Sequence, residues 1–457
     1  MKILFLTEGG KNIGFGHITR CIALSDGFRV KKINSYFLIN GDKTVIELLK
    51  GKKYKLFNWI KNTQKTFEIL KNYDFVVIDS YLAPKKLYDK ISEIKNGKLL
   101  MIDDYRRIIY PPGIVVNPSI YGDKLKYPKT KGVKYLLGPK YIILRKEFWN
   151  VPKKKINRKI KNILVTFGGA STEEFINKIG NFIRQNFKSV KIYVVNPNKK
   201  KLTAKQMLKL MLKADLCISG GGQTLYELAR VGVPTIGICF ADNQLLNLKY
   251  FEKYGFLKFA GWYDEKDVLS KLLNKIRETK KIKDVFWINF NNHPLLLFIR
   301  EIIYISMLRN INIRKVKNGD VWDIYKISND PLVRKNSFNS KKITKKEHAN
   351  WFKNLDKDKF FVAQYKDKIV AQVRFKETKE GDIISISLDS EYRGFGLSDY
   401  ILNETLSLYQ KKFSKKKIIA YIKQENISSV KLFEKVGFKK VGLRKINSVL
   451  AHKYVYE

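Results

Sequence analysis

The stretch KILFLT, Lys2 to Thr7, leads into a glycine-rich turn and then into GFGHITRC, Gly14 to Cys21. An apolar run of strand length, a glycine turn and a helical pattern after it is how a parallel α/β sheet begins. His17, the only histidine before His293, falls at the mouth of that turn. A ring at the start of a helix feels the positive end of the dipole, which disfavours imidazolium. The sequence therefore predicts a neutral His17 able to take a proton from water, with Gly14 and Gly16 letting a ligand approach the backbone. The alternative is a surface or capping histidine after an ordinary turn.

The pattern recurs along the chain. YDFVVIDS, KLLMIDD, KNILVTFGG, VKIYVV, ADLCISGGG and VPTIGICF are apolar runs, most of them ending in Gly, Asp or Ser, where a parallel strand meets its loop. They fall into two groups split near RKEFWNVPKKK, Arg145 to Lys155, which predicts two doubly wound lobes, residues 1–150 and 151–282, with ligands at the strand C-termini. HPLLLFIREIIYISMLR is too short and too charged, with Arg300 and Glu301 at its middle, to span a membrane. It reads as a linker helix over 283–310. After it INIRKV, KFFVAQY, KIVAQVRF and DIISISL form a meander, followed by the helical YILNETLSLYQKKF and by KIIAYI, an α+β domain over 311–457.

The 457 residues include 90 Lys and Arg against 42 Asp and Glu, a net charge of +48. The lysines are scattered through every segment beside Asn and Ile, so the charge reads as compositional bias that draws in anionic substrates, and no specific nucleic acid is expected. The first residues show no signal-peptide pattern, and a cytoplasmic protein without membrane insertion is expected. Cys21, Cys217 and Cys239 have neither disulfide-framework nor zinc spacing and read as reduced and mostly buried.

A second signal lies in ISGGGQTLYELARVGVPTIGICFADNQ, Ile218 to Gln244. Three glycines ending a strand and opening a helix offer free N–H groups and a dipole to a diphosphate. Glu227, one turn past Thr224, is placed to accept from ribose hydroxyls; the plain alternative is a glycine turn with Glu227 solvated. Contiguous glycines argue against a GxGxxG dinucleotide loop.

GFGHITRC, VVIDSY, MIDDYR, LLGPKYIILRKEF, VTFGGAS, ISGGGQTLYELARVGVPT and ADNQ, in that order over roughly residues 1–280, resemble the UDP-sugar hydrolase family of pseudaminic acid biosynthesis, related to the glycosyltransferase B fold. The resemblance implies water attack at the anomeric carbon with release of UDP, yielding 2,4-diacetamido-2,4,6-trideoxy-L-altrose, with His17 as base. It assigns Gly221, Gly222, Thr224 and Glu227 to uridine diphosphate, and matches Asp79 and Tyr81, and Asn243 with Gln244, to further crevice motifs. We expect Asp79 and Tyr81 in the catalytic group and Asn243 and Gln244 in the UDP group. No acidic cluster resembles a metal cage, helix N-termini can stabilise the leaving diphosphate, and no metal is expected. Asp103 and Asp104 read as loop-structuring.

SLDSEYRGFGLSDYILNETL, Ser387 to Leu406, places another glycine loop between strand and helix, where Arg393, Gly394 and Gly396 fit a diphosphate nest. With NISSVKLFEKVGFKKVG, Asn426 to Gly442, it resembles the Gcn5-related N-acetyltransferase (GNAT) family over roughly 311–457. The resemblance implies acetyl-CoA as co-substrate at Arg393, Gly394, Phe395, Gly396, Leu397, Ser398 and Asn426. Ser398 departs from the usual last small residue of that loop. Phe433 stands where many members carry a tyrosine acid, leaving Tyr400, Tyr421 or water. VWDIYKISNDPLVRKNSF and TKKEHANWF are expected to shape the acceptor pocket, with His348 exposed on a helix and Trp351 in the core.

The pairing implies a bifunctional enzyme that acetylates the C4 amine of a UDP-4-amino-sugar and hydrolyses the product, with other nucleotide-sugar enzymes as possible partners. A UDP-sugar glycosyltransferase, or an acetyltransferase fused to a non-catalytic UDP-sugar-binding module, are the alternatives.

Overall fold

The computed structural model describes residues 1–152, 154, 157, 159–167, 172–196, 202–279, 294–308, 310–413 and 417–456. The chain divides into two compact units, Met1–Ile299 and Arg300–Glu457.

In the first unit, β1 (Lys2–Gly9), β2 (Asn34–Gly41), β3 (Lys53–Leu56) and β4 (Phe75–Asp79) begin a parallel sheet that β5 (Leu99–Ile102), β6 (Gly113–Asn117) and β7 (Val133–Leu137) complete. The order is β3-β2-β1-β4-β5-β6-β7. Every residue of β4 and all but Lys2 of β1 is buried, because crossover helices cover both faces; hence the unbroken apolar runs that made these strands legible. The chain winds outward from β1 to β3 and then outward the other way from β4. The C-terminal ends of β1 and β4 therefore flank the point where the winding reverses, which leaves a crevice there.

The second sheet comprises β8 (Asn162–Thr166), β9 (Lys191–Val195), β10 (Leu216–Ser219), β11 (Thr235–Cys239) and β12 (Leu257–Trp262), in the order β12-β11-β10-β8-β9. Its winding reverses between β8 and β10. Gly168 to Ser171 of VTFGGAS, which follow β8, lie outside the described residues. Between the sheets, Ile142, Leu144, Phe148 and Val151 pack into the core around Leu225 and Leu228. Cys21, Cys217 and Cys239 are free and buried.

Of the linker helix expected over 283–310, residues 283–293 lie outside the described residues; the helix Pro294–Leu308 is present, and the division between units falls within it. Among the described residues no helix is long and apolar enough to cross a membrane.

The second unit holds one sheet in the order β13-β14-β15-β16-β17-β19-β18. Its strands are β13 (Ile311–Lys315), β14 (Phe360–Tyr365), β15 (Lys368–Lys376), β16 (Asp382–Leu388), β17 (Ile418–Lys423), β18 (Lys439–Ile446) and β19 (Val449–Tyr456). The expected meander is β13 to β16, antiparallel throughout. β16 and β17 are parallel and pair only at Asp382 with Ile418 and Ile383 with Ile419, so the strands part toward their C-terminal ends. The helix Leu397–Phe413 covers one face through Tyr409, whose ring stacks 3.6 Å from Phe375. The other face receives Ile324, Ile327 and Phe352 from the helices Val321–Ser328 and Lys345–Lys353, against Phe360 and Val362. The closing hairpin of β18 and β19 escapes pattern reading because seven of the eight β18 residues are exposed, leaving no apolar alternation.

Candidate functional site

β1 delivers the chain into a turn closed by Gly10 and Gly14, which exchange backbone hydrogen bonds of 3.0 and 2.8 Å. Gly14 holds φ +87°, a conformation that a side chain would strain, and the helix Gly16–Val30 follows at once. His17 thereby sits in the first helical turn, above the end of β4.

There it meets Asp79: Nδ1 lies 2.6 Å from Oδ1. Asp79 is fully buried and also accepts from Arg20, Nε to Oδ2 at 2.9 Å and Nη2 to Oδ1 at 2.8 Å. Burial alone would push Asp79 up, but Arg20 and His17 hold its carboxyl well below the ordinary value, so it is ionised and can only accept. His17 Nδ1 therefore donates to Asp79, and in the neutral ring Nε2, 4.0 Å from Glu8 Oε1, holds the lone pair.

The charges continue outward. Arg20 donates to both oxygens of Asp104, at 2.6 and 3.0 Å, and the Tyr81 hydroxyl also donates to Asp104. The Tyr81 ring stands edge-on to His17 with centroids 4.4 Å apart, and its backbone N–H donates to Glu8 at 2.7 Å. Burial and the Asp104 charge push the Tyr81 phenol far up, so it stays protonated.

The helix-end argument, which predicts a lowered His17 pKa, is reversed here. Burial, the largest single influence, lowers the ring, but the Asp79 charge and hydrogen bond together outweigh it, and the pKa ends above 6.5. A full carboxylate in contact outweighs the half charge of a helix end. Asp103 does structure its loop, accepting from the backbone of Asp104 at 3.0 Å and from Tyr127 at 2.6 Å; Asp104 instead belongs to the His17 network. Sequence reading passed over Arg20 and Glu8. Arg20, one turn past His17 on the same helix, was the available signal.

At the second sheet, β10 is followed by Gly220, Gly221 and Gly222, and then the helix Gln223–Val231 begins. Gly221 donates its N–H to Gln244 Oε1 at 3.1 Å and accepts from Asn247 at 2.9 Å, so Gly221 and Gln244 shape the loop from beneath. A Cβ on Gly221 would lie 2.6 Å from the Gln244 carbonyl, which is why glycine stands there. Among the described residues the N–H groups of Gly222, Gln223 and Thr224 have no acceptor, as the first amides of a helix do not. Thr224 is half-buried beside them and Asn243 is exposed.

Glu227 is placed differently from the expectation. It is 1% exposed, and its two oxygens accept from Arg145 Nε and Nη2, each at 2.6 Å. A ribose contact would require Arg145 to move. The backbone N–H of Ile120, beyond β6, donates to the Tyr226 hydroxyl at 3.1 Å, which joins the loops of the two sheets, and burial pushes that phenol up.

In the second unit Gly394 and Gly396 hold φ +79° and +82° just before the helix Leu397–Phe413. Arg393 turns back, donating to the Leu388 carbonyl at 2.8 Å and pairing with Asp330 at 2.8 Å. Phe395, Gly396 and Ser398 are half-buried and Leu397 is buried. Asn426 caps the helix Ile427–Val436, accepting from Ser429 N–H at 3.3 Å. Phe433 packs against Phe438. Tyr421 accepts from Arg444 at 2.8 Å, and Tyr400 is half-buried. His348 is corrected from exposed to buried: at 1% exposure, Nε2 meets the Val321 carbonyl at 2.9 Å, a contact that spacing along its own helix does not reveal. Trp351 is half-buried against the same cluster. Among the described residues no group of three or more His, Cys, Asp or Glu could hold a metal ion.

Residues 151–285 match the glycosyltransferase family 28 C-terminal domain model, and residues 321–438 match the acetyltransferase (GNAT) family model. Over 96% of its length the chain is 24% identical to an uncharacterized protein of Methanocaldococcus jannaschii, 97% of which is covered. It is 26% identical to the pseudaminic acid cytidylyltransferase and UDP-2,4-diacetamido-2,4,6-trideoxy-beta-L-altropyranose hydrolase of Helicobacter pylori, over 56% of this chain and 48% of that one, so it spans about half of that relative. The UDP-2,4-diacetamido-2,4,6-trideoxy-beta-L-altropyranose hydrolase of Campylobacter jejuni is 23% identical, over 56% of this chain and 98% of its own. Spermidine N-acetyltransferase from Vibrio cholerae, a solved structure, covers 32% of this chain and 94% of its own, at 20% identity and TM-score 0.29. The first part of the chain is thus similar to UDP-sugar hydrolases, on a glycosyltransferase-B-like pair of parallel sheets, and the second has the fold of GNAT acetyltransferases.

Proposed function

We propose that the chain carries two consecutive reactions: acetyl-CoA-dependent N-acetylation of the C4 amine of a UDP-4-amino-sugar, and hydrolysis of the product to 2,4-diacetamido-2,4,6-trideoxy-L-altrose and UDP. The observation that carries the hydrolytic reading is the contact of His17 Nδ1 with buried Asp79, which leaves Nε2 as a base at the point where the sheet's winding reverses. Water attacks the anomeric carbon as its proton passes to Nε2. The bond from that carbon to the phosphate oxygen breaks, and its electron pair leaves with UDP. The free N–H groups of Gly222, Gln223 and Thr224 at a helix N-terminus suit the growing diphosphate charge. Gly221 and Gln244 hold that loop, with Asn243 beside it, and Tyr81 orders the wall against His17.

For acetylation, the positive-φ turn at Gly394 and Gly396 before a helix supports a coenzyme A diphosphate at Arg393 to Ser398, with Asn426 fixing the neighbouring helix start. The parting of β16 and β17 opens room for the thioester, where proximity supplies much of the rate. The amine nitrogen bonds to the acetyl carbon, the thiolate leaves as coenzyme A, and the amine proton departs to solvent.

The match to a glycosyltransferase domain favours a second reading, in which a sugar hydroxyl replaces water as the attacking group. One experiment separates them: a proton NMR time course on UDP-2-acetamido-4-amino-2,4,6-trideoxy-L-altrose with acetyl-CoA. A new N-acetyl signal followed by free sugar and UDP is expected. Acetylation that stops at the intact UDP-sugar, with turnover only when an acceptor is added, would replace hydrolysis by transfer.

A further inference from the structure

β1, β4 and β5 lie side by side in the first sheet, and each brings a carboxylate to its C-terminal end. Glu8 closes β1 with Oε1 4.0 Å from His17 Nε2, Asp79 ends β4 with Oδ1 2.6 Å from His17 Nδ1, and Asp104 stands in the loop after β5. Three carboxylates thus bear on one imidazole. Left to themselves they would hold it as imidazolium, because a neighbouring opposite charge favours the charged form. An imidazolium has no lone pair with which to take a proton from water.

Arg20 lies among them. It is 8% exposed, and among the described residues every hydrogen bond of its side chain goes to a carboxylate. Its fork holds Asp79 through both oxygens, at 2.9 and 2.8 Å, and Asp104 through both, at 2.6 and 3.0 Å. Two consequences follow from that geometry. The Asp79 carboxylate, gripped at Oδ2 by Nε, cannot turn Oδ1 away from the ring, which keeps Nδ1 as the donor and Nε2 as the open atom. Oδ1 is also shared, since Arg20 Nη2 donates to the same atom that meets His17 Nδ1, so the guanidinium opposes a second positive charge on the ring. The charged groups that face His17 are then Glu8, Asp79 and Asp104 against Arg20, with the protonated Tyr81 phenol edge-on. Arg20 pulls the ring's pKa down and Asp104 pushes it up.

We propose that Arg20 is a positioning residue for the hydrolysis: it fixes Asp79 toward His17 and sets a cation among three carboxylates, so that the ring can take a proton from water and give it up again in each turnover. This rests on the reading that His17 is the hydrolytic base. The plain alternative is a strut that only satisfies two buried acids.

The test is an NMR titration of the full chain with carbon-13-labelled imidazoles, beside the pH profile of UDP release. The chain has four histidines, and His17→Ala identifies the signal of His17. His17 should titrate at higher pH in Arg20→Gln than in the natural chain and at lower pH in Asp104→Asn. Arg20→Lys, which keeps the charge and loses the fork, should fall between Arg20→Gln and the natural chain. The acid limb of hydrolysis should move with the signal in each variant. A strut gives no such opposed pair. A His17 titration that stays in place in all three variants, or that moves the same way in Arg20→Gln and Asp104→Asn, would overturn the role of Arg20 and leave hydrolysis standing. Should Arg20→Gln not fold, an unmoved titration in Arg20→Lys would do the same. Opposed shifts in a chain that releases no UDP from the acetylated UDP-sugar would keep the charge arrangement and remove the function.

Discussion

Two glycine loops, one after β1 and one after β16, each carry a parallel strand into a helix, yet they are furnished differently. Behind the first lies a row of charges in contact, His17, Asp79, Arg20 and Asp104, three of them buried. Behind the second, among the described residues, the ion pairs are separate, Arg393 with Asp330 and Lys435 with Asp399, and Phe433, at the position that the resemblance gives to an acid, is in the core. The first loop presents a side chain whose protonation is controlled; the second presents backbone. Splitting a glycosyl phosphate with water calls for a base, whereas passing an acetyl group from a thioester to an amine calls mainly for alignment. Under the proposed function the same local device serves two chemistries because the surroundings differ.

The largest effect that would break this contrast is at His17. Changing His17→Ala should lower UDP release from the acetylated UDP-sugar by roughly 10²- to 10⁴-fold, the usual loss with a general base, while UDP still binds. Unchanged turnover would remove the base assignment and with it the distinction between the loops.

Next comes Asp79. In Asp79→Asn the ring loses the partner that fixes its tautomer, and burial is left to pull its pKa down. The acid limb expected for hydrolysis, set by a His17 pKa that Asp79 holds above its ordinary value, should move to lower pH, with turnover reduced on the order of 10²-fold or more. A pH profile reads this directly. Stability follows with opposite signs. His17, whose pKa is raised, contributes fully below 6.5 and loses that contribution as pH climbs past its folded value; Asp79, whose pKa is lowered, contributes above 3.8 and loses it as pH falls. A limb that stays in place would show that Asp79 does not set the proton on His17.

Smaller, and sharpening the picture of the UDP loop, is Arg145→Gln. It leaves buried Glu227 without its cation and should destabilise the first unit by roughly 3 kcal/mol, read as a lower denaturant midpoint. If stability held while UDP affinity fell, Glu227 would be a ligand group and not a strut. Smallest is Asn426→Ala, which removes a helix cap worth about 1 kcal/mol. It should shift the second unit's melting slightly and leave hydrolysis of the acetylated substrate alone; a fall in hydrolysis would show that the two units are coupled.

Among the strands legible in the sequence, β1, β4, β10 and β11 are buried on both faces, and their apolar runs need no partner to be recognised; β9 was legible although partly exposed, and the buried β6 was passed over. β2 and β18 were not legible, because partial exposure mixes polar residues into them. The glycine turns were legible as well, and with them the places where ligands are expected. What each side chain does there was less so: His348 read as solvent-facing and is enclosed, and Glu227 read as a ribose acceptor and is clasped by Arg145, 82 positions away.

By itself the sequence determined the alternation of strand and helix, the glycine loops and the position of His17, because backbone propensity and glycine conformations act over a few residues. Only the tertiary structure decided the direction in which the His17 pKa moves, the partners of Glu227 and the burial of His348. Those depend on charges and packing brought together from distant segments, and electrostatic contact follows distance in space, not distance along the chain.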